Sequence, residues 1–239
     1  MRNDKVEIIV LVDNNAADGL IKTHGLSIIV RGKSKTILFD TGPDPKILKY
    51  NADKLNVDLE KIDAVVLSHE HGDHTRGLSL ISSFRREIPV FIPQHAKIYL
   101  SNEIRRIGLF PYPISETTKI GDGVFIVGEL YGPPWEQGLM VGISNEDGIL
   151  IVGCSHPGIE NIAAKTFRDT GIRPRIIIGG FHLLGTSRSK LREIINALIK
   201  IGAKKILPLH CSGGNIHRLL KEEYSEYYEY AYAGFSLEI

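Results

Sequence analysis

Histidine is the residue type whose spacing in this chain points most directly to chemistry. Three of the nine histidines and one aspartate fall within six residues, at His69, His71, Asp73 and His74. Imidazole and carboxylate groups are common ligands of zinc and related first-row metal ions. Gly72 lets the chain turn tightly between the two pairs of ligand residues. This spacing predicts a segment that binds metal.

Three more histidines follow short apolar segments that predict buried strands. His156, His182 and His210 come after ILIV, RIII and KIL, just as the first cluster comes after AVVL. Strands of an α/β sheet present ligands at their C-terminal ends, so we expect these side chains to converge. One metal needs only three or four protein ligands, so this larger set predicts two divalent ions that share a water. Zinc is the expected metal, with manganese, iron and magnesium as alternatives. The predicted ligands are His69, His71, Asp73, His74, His156, His182 and His210.

The elements that must position these residues alternate along the chain. β-Branched segments predict early strands at 6–12, 26–31 and 35–39. Later apolar segments predict strands at 62–67, 89–92, 124–127, 139–144, 148–152, 175–178 and 205–208. Helices are expected at 45–55, 96–107, 159–169, 190–201 and 215–228, and loops at 68–74, 108–123 and 131–136. No linker or repeat interrupts this pattern, which predicts one α/β domain over residues 1–239.

Charge and hydropathy exclude several classes of partner. The chain carries 29 basic and 28 acidic side chains, and its net charge of +1 predicts no nucleic-acid partner. Its apolar segments are strand-sized rather than membrane-sized, which predicts no membrane partner. A small-molecule substrate is therefore expected. Five tyrosines between residues 224 and 232 favour a packing face or a contact between copies of the chain, which leaves a homo-oligomer open.

The amino-acid composition and the N-terminal sequence indicate the cellular compartment and the kind of source organism. The apolar N-terminal segment ends at Asp13, too early for a signal peptide, and the chain has only two cysteines. These features predict a cytoplasmic protein. The 33 isoleucines, against two glutamines and two methionines, favour a heat-loving source, because β-branched packing and few thermolabile side chains are typical of thermophile proteins.

The metal-binding segment also resembles a known family. Ser68 to His74, read SHEHGDH, resembles the HxHxDH signature of the metallo-β-lactamase superfamily. Phe39-Asp40-Thr41-Gly42 is similar to the first motif of that superfamily, and His210 to its last. The segments HGLS, GCSHPG, GGFHL and PLHCSG resemble one branch, which carries the name of a dihydropterin-(ribofuranosyl)aminobenzene phosphate synthase of methanopterin biosynthesis.

The resemblance implies a four-layer αββα sandwich with two metals at one edge, between the sheets. It implies that His69, His71 and His156 hold the first metal, and that Asp73, His74 and His210 hold the second. The position that bridges the metals is usually Asp in the family, and none follows the strand at 148–152. His182 takes this position by its spacing and is the favoured ligand, while Cys154 takes it by local pattern and is its rival.

Two further residues receive roles from the resemblance. Asp40 is expected to orient a ligand histidine or its loop rather than to bind metal itself. His24 matches the branch motif, and a substrate contact and a structural role as a cap both remain open for it.

The reaction class follows from the two metals. Metal-activated water would attack an ester, a lactam or a phosphoester, and Asp73 would act catalytically by carrying the proton to the leaving group. A metal-dependent hydrolase is therefore the expected function. One alternative is the synthase of the named branch, where the cations would bind a diphosphate leaving group. The other is a non-catalytic metal-binding scaffold.

Overall fold

The computed structural model describes residues 5–239, apart from the side chain of Lys97, and it arranges them as two mixed sheets between helices. Residues 1–4 of the predicted domain lie outside the described part. The first sheet contains β1 (Glu7–Val12), β2 (Ser27–Arg31), β3 (Thr36–Phe39), β4 (Ala64–Val66), β5 (Pro89–Pro93), β6 (Phe110–Ile114) and β13 (Ser236–Glu238). The second contains β7 (Thr118–Gly121), β8 (Val124–Tyr131), β9 (Trp135–Gly142), β10 (Asp147–Val152), β11 (Arg173–Gly180) and β12 (Lys205–Leu209).

In the described part of the chain, seven α-helices lie on the sheets or at their edge. They are α1 (Pro45–Lys54), α2 (Gly72–Thr75), α3 (Leu78–Phe84), α4 (Lys97–Arg106), α5 (Ile159–Thr170), α6 (Arg188–Ile201) and α7 (Gly214–Glu223). Helix α1 begins where the side chain of Asp44 accepts a hydrogen bond from the backbone N–H of Lys46, with Pro45 at its first position. Helix α5 ends at Gly171, whose φ of 71° suits a residue without a side chain. Among residues 5–239, no helix has the length and apolar character needed to cross a membrane.

The strand order gathers the parallel strands on one side of each sheet. The first sheet runs β13-β1-β2-β3-β4-β5-β6, with β3 to β6 parallel to one another. The second runs β12-β11-β10-β9-β8-β7, with β10, β11 and β12 parallel. Parallel strands carry their C-terminal ends at the same edge, which is the edge where the predicted ligands follow them.

The core has three apolar layers, which confirms the predicted αββα sandwich. In β10, Ile149 and Ile151 face the first sheet, while Leu150 and Val152 face α5 and α6. The first sheet is covered on its outer face by α1, α3 and α4. Because both faces of each central strand are buried, its sequence reads as a continuous apolar run without alternation.

Several segments differ from their predicted elements. The predicted loop at 131–136 is reduced to residues 132–134, between β8 and β9. The predicted loop at 108–123 contains β6 and β7, and Pro111 and Pro113 are tolerated in β6 because it is an edge strand. The last helix ends at Glu223 rather than near residue 228. After it, Tyr228 forms an isolated bridge with Ile206 of β12, so the tyrosine-rich segment continues along the sheet.

Close packing at Gly77, just before α3, generates a stability prediction. A Cβ atom there would lie 1.9 Å from the carbonyl oxygen of Thr41. The φ of Gly77 is −67°, which any residue adopts, so the clash is purely steric. Gly77→Ala should therefore lower the free energy of unfolding by about 1–3 kcal/mol, as measured by urea denaturation.

Gly214 provides the matched control for this substitution. It opens α7, it lacks positive φ, and no atom lies within 4 Å of the point that a Cβ atom would occupy there. Gly214→Ala should leave stability unchanged or raise it by about 0.4–1 kcal/mol. Equal unfolding free energies for the two variants would contradict the packing described at Gly77.

Candidate metal centre

The predicted ligands all lie just beyond the C-terminal ends of strands. His69 follows β4, His156 follows β10, His182 follows β11 and His210 follows β12. Of the remaining three, His71 lies just before α2, and Asp73 and His74 lie within it. The two sheets bring these strand ends to one edge, so residues from four separate segments meet there.

The first group consists of His69, His71 and His156. The Nε2 atom of His69 lies 3.0 Å from the Nδ1 atom of His71. One ring nitrogen from each histidine lies within 4.8 Å of the others. Two ligand nitrogens in a tetrahedral zinc site are about 3.3 Å apart, given the usual zinc–nitrogen distance. The spacing of the two rings is therefore close to what one shared cation requires.

The second group consists of Asp73, His74 and His210. The Oδ2 atom of Asp73 lies 3.2 Å from His210 Nε2 and 3.6 Å from His74 Nε2. His210 Nε2 is buried and has no partner with hydrogen-bond geometry. Burial lowers the pKa of His210 to about 4, so its ring is neutral at pH 7. A buried nitrogen with a free lone pair is well suited to a metal.

The sulfur of Cys154 lies between the two groups. Its Sγ atom is 3.3 Å from His74 Nε2. It also lies within 4.8 Å of donor atoms of His69 and His74, and of donor atoms of His156 and His182. The ring of His182 lies 4.7 Å from that of His156 and groups only with His156 and this sulfur. The structure thus places Cys154 at the junction and His182 beside the first group.

A buried carboxylate, Asp40, holds two of the imidazoles in place. Its Oδ2 atom accepts hydrogen bonds from His74 Nδ1, at 2.6 Å, and from the hydroxyl of Ser68, at 2.7 Å. That hydroxyl in turn accepts from His69 Nδ1, at 2.8 Å. With both Nδ1 atoms engaged, the Nε2 atom of His69 is left beside His71 Nδ1, at 3.0 Å, and that of His74 beside Cys154 Sγ, at 3.3 Å. Burial and the neighbouring imidazoles lower the pKa of His69, which keeps its ring neutral.

A second buried carboxylate, Glu136 of β9, holds the segment after β10. It accepts hydrogen bonds from the backbone N–H groups of Cys154, Ser155 and His156, at 2.8 to 2.9 Å. It also accepts one from His156 Nδ1, at 2.8 Å. Burial raises the pKa of Glu136, but these hydrogen bonds outweigh burial and leave it below its usual value. Sequence reasoning missed this residue, although a charged side chain beside the apolar segment GLMVG was a signal.

Asp13 and Asn14, beyond β1, hold His210. The carboxylate of Asp13 accepts from the backbone N–H of His210, at 2.7 Å. The amide oxygen of Asn14 lies 3.0 Å from His210 Nδ1, which leaves Nε2 toward the cavity. Sequence reasoning missed both residues. Polar residues at the end of a buried strand were the signal that could have identified them.

The backbone at this edge is held in unusual conformations. Asp40, Ser155, His182 and His210 have φ between 50° and 60°. Left-handed backbone at residues other than glycine costs free energy and tends to concentrate at functional sites. Here such residues follow four strands, β3, β10, β11 and β12, at the same edge, where the chain turns sharply.

Four residues of the two groups, His71, Asp73, His156 and His210, line a cavity of about 640 Å³, a size that suits a small molecule. His24 lies at its rim with an exposed side chain, and its Nε2 is 3.3 Å from Asp73 Oδ2. No lysine or arginine of the described residues lines this cavity. Its lining residues are Asn14, His24, His71, Asp73, Cys154, His156, His182, Leu184, His210, Cys211 and Gly213.

Comparison with known proteins identifies relatives and solved structures that match nearly the whole chain. The chain is 29% identical to the 7,8-dihydropterin-6-methyl-4-(β-D-ribofuranosyl)-aminobenzene-5′-phosphate synthase of Methanocaldococcus jannaschii, over 97% of this chain and 96% of the relative. The solved structure of Tm1679, described as a metal-dependent hydrolase of the β-lactamase superfamily, is 28% identical with a TM-score of 0.84, covering 98% of this chain and 99% of that one. The metallo-β-lactamase fold protein YhfI of Bacillus subtilis shares the fold, at 15% identity and a TM-score of 0.72, over 99% of this chain and 100% of that one.

The family model described as the metallo-beta-lactamase superfamily matches residues 21–210. The matched region includes the strand ends after β4, β10, β11 and β12. The chain belongs to the metallo-β-lactamase superfamily.

Proposed function

We propose that this protein is a hydrolase that uses two divalent metal ions on a small-molecule ester, lactam or phosphoester. One observation carries the proposal. The Nδ1 atoms of His74, His156 and His210 each contact a fixed oxygen, so their Nε2 atoms are left for metal at one edge of the sheets. Side chains of metal sites are commonly oriented in this way.

The geometry supports an assignment of ligands to each metal. His69, His71 and His156 would hold the first ion, and Asp73, His74 and His210 the second. The sulfur of Cys154 would lie between the ions, and the ring of His182 would stay beside the first. This preference for Cys154 rests on the short distance from its sulfur to His74 Nε2. The same sulfur also lies close to donor atoms of His156, in the first group, and of His74, in the second.

The donor set favours zinc. Neutral imidazole and thiolate are preferred by zinc and other borderline or soft ions, whereas magnesium prefers oxygen ligands and keeps several waters. When bound, the two cations would activate water for attack and neutralise the negative charge that develops on the substrate.

The residues of the chain would handle the proton. Asp73 Oδ2 faces the cavity and is in place to take a proton from the attacking water. His24 Nε2 lies 3.3 Å from this oxygen, and the His24 side chain is 69% exposed. His24 therefore connects Asp73 with solvent, and it is in place to contact the leaving group of the substrate.

The synthase reaction is the second candidate. The observation that favours it is the identity with the Methanocaldococcus jannaschii synthase across nearly the whole of both chains. In that reaction the same cations would bind a diphosphate leaving group. The lack of cationic side chains among the described lining residues fits this role too, because the metals would then be the groups that hold the phosphates.

Removal of ligands from the first site tests the metal assignment. The protein should contain about two ions per chain when purified with zinc. His69→Ala combined with His71→Ala should remove the first ion, because one histidine cannot hold it, and this is measured by elemental analysis. His217→Gln is the control, since His217 contacts Tyr228 in another part of the fold. Full metal content in the double variant would refute the assignment.

Substitution of Glu136 tests how His156 is positioned. Glu136→Gln replaces one acceptor oxygen by an NH₂ group, so at least one buried N–H loses its partner. Metal affinity should fall about 10–100-fold, as measured by competition with a chelator.

A second histidine–glutamate pair provides the matched control. Glu129 accepts from the backbone N–H and the Nδ1 of His95, at 3.0 and 2.5 Å, away from the cavity lining. Glu129→Gln should therefore lower stability without changing metal affinity. Equal metal affinities for the two variants would show that Glu136 has no role in positioning His156.

Substrate assays separate the two candidate functions. The zinc-loaded protein should hydrolyse at least one generic ester, lactam or phosphodiester, and chelator should abolish turnover. Incubation with a dihydropterin diphosphate and an aminobenzene ribose phosphate tests the synthase reaction on the same preparation. Coupled product without any hydrolysis of the generic substrates would overturn the hydrolase proposal in favour of the synthase.

A further inference from the structure

The two cysteines of the chain both line the cavity. Cys154 follows β10 and is buried, while Cys211 follows β12 and is half-buried. Both are free thiols, and their sulfur atoms lie within 4.8 Å of each other. The Sγ of Cys211 lies 3.8 Å from the carbonyl oxygen of Cys154. A disulfide bond is about 2.05 Å long, so small side-chain movements separate this pair from bond formation.

The end of β11 makes this approach feasible. Strands β10 and β12 flank β11, and strands two positions apart in a sheet are separated by about 10 Å. Strand β11 ends in Gly179 and Gly180. A Cβ atom on Gly180 would lie 2.8 Å from the sulfur of Cys211 and 3.3 Å from the Cα of Cys154. The missing side chain thus leaves room for the two cysteines to meet across the strand.

We propose that Cys154 and Cys211 form an intramolecular disulfide when the site lacks metal, and that bound metal prevents it. The inference rests on the proposed function, because it assigns the sulfur of Cys154 to the position between the two ions. That sulfur cannot serve as a metal ligand and as half of a disulfide at the same time. Oxidation and metal binding therefore exclude each other.

The oxidant is a low-molecular-weight disulfide. The thiolate of Cys211, the more accessible of the two, attacks one sulfur of the oxidant, and the first small thiol leaves. The thiolate of Cys154 then attacks the sulfur of Cys211, and the second small thiol leaves. The protein loses two electrons and two protons, and the oxidant is reduced to two thiols.

The test treats metal-free and zinc-loaded protein with oxidised glutathione. Intact mass should show that the metal-free protein loses two hydrogen atoms and carries no glutathione, while the zinc-loaded protein keeps its mass. Cys211→Ser is the matched variant, and it should never lose two hydrogen atoms. The oxidised wild-type protein should bind zinc at least about tenfold more weakly, and a reductant should restore the affinity.

Two outcomes would overturn the inference. One is metal-free protein that keeps both thiols or carries glutathione without an internal bond. The other is zinc-loaded protein that oxidises as fast as the metal-free form. The zinc content of the reduced wild-type protein tests the proposed function separately. If the protein binds zinc but the disulfide never forms, this inference alone is rejected. If the disulfide forms but the protein never binds zinc, the proposed function is rejected together with the link between oxidation and metal.

Discussion

The hydrogen bonds that hold the Nδ1 atoms of His74, His156 and His210 are the constraint on which the site depends. Asp40, Glu136 and Asn14 each accept from the Nδ1 atom of a different histidine, and each comes from a different segment of the chain. A histidine without such a partner could rotate or exchange its tautomer, and its Nε2 would no longer face the cavity. Two of these partners are carboxylates with no exposed surface, so they can stay buried only while their N–H and hydroxyl partners remain in place.

The sandwich explains why so many polar groups can be collected at one edge. The apolar layers on both sides of each sheet fix the parallel strands, and their C-terminal ends then converge without help from the loops. Left-handed backbone at Asp40, Ser155, His182 and His210 turns the chain sharply at those ends. The free energy that these backbone conformations cost is offset by the packing of the apolar core. The conformations leave a set of side chains that needs little rearrangement to bind metal.

Sequence reasoning predicted the parts of this design that depend on local patterns. The αββα sandwich and the membership of the family are confirmed, and the strand ends that carry His69, His156 and His210 lie together. The residues it missed, Asp13, Asn14 and Glu136, act through contacts between segments whose closeness depends on how the sheets pack. The Nδ1 of His210, for example, meets a side chain 196 positions away in the chain. Likewise, the strands β6 and β7 lie in a stretch with several proline and glycine residues that is typical of loops, and their strand structure depends on neighbouring strands.

The most direct test of this account is the crystal structure of the zinc-loaded protein, with the ions located by anomalous scattering. The account predicts two ions: one bound by Nε2 of His69, Nδ1 of His71 and Nε2 of His156, the other by Asp73 and the Nε2 atoms of His74 and His210. The sulfur of Cys154 should lie between them. Zinc bound through the Nδ1 atoms that contact Asp40, Glu136 or Asn14, or bound away from this edge of the sheets, would contradict it.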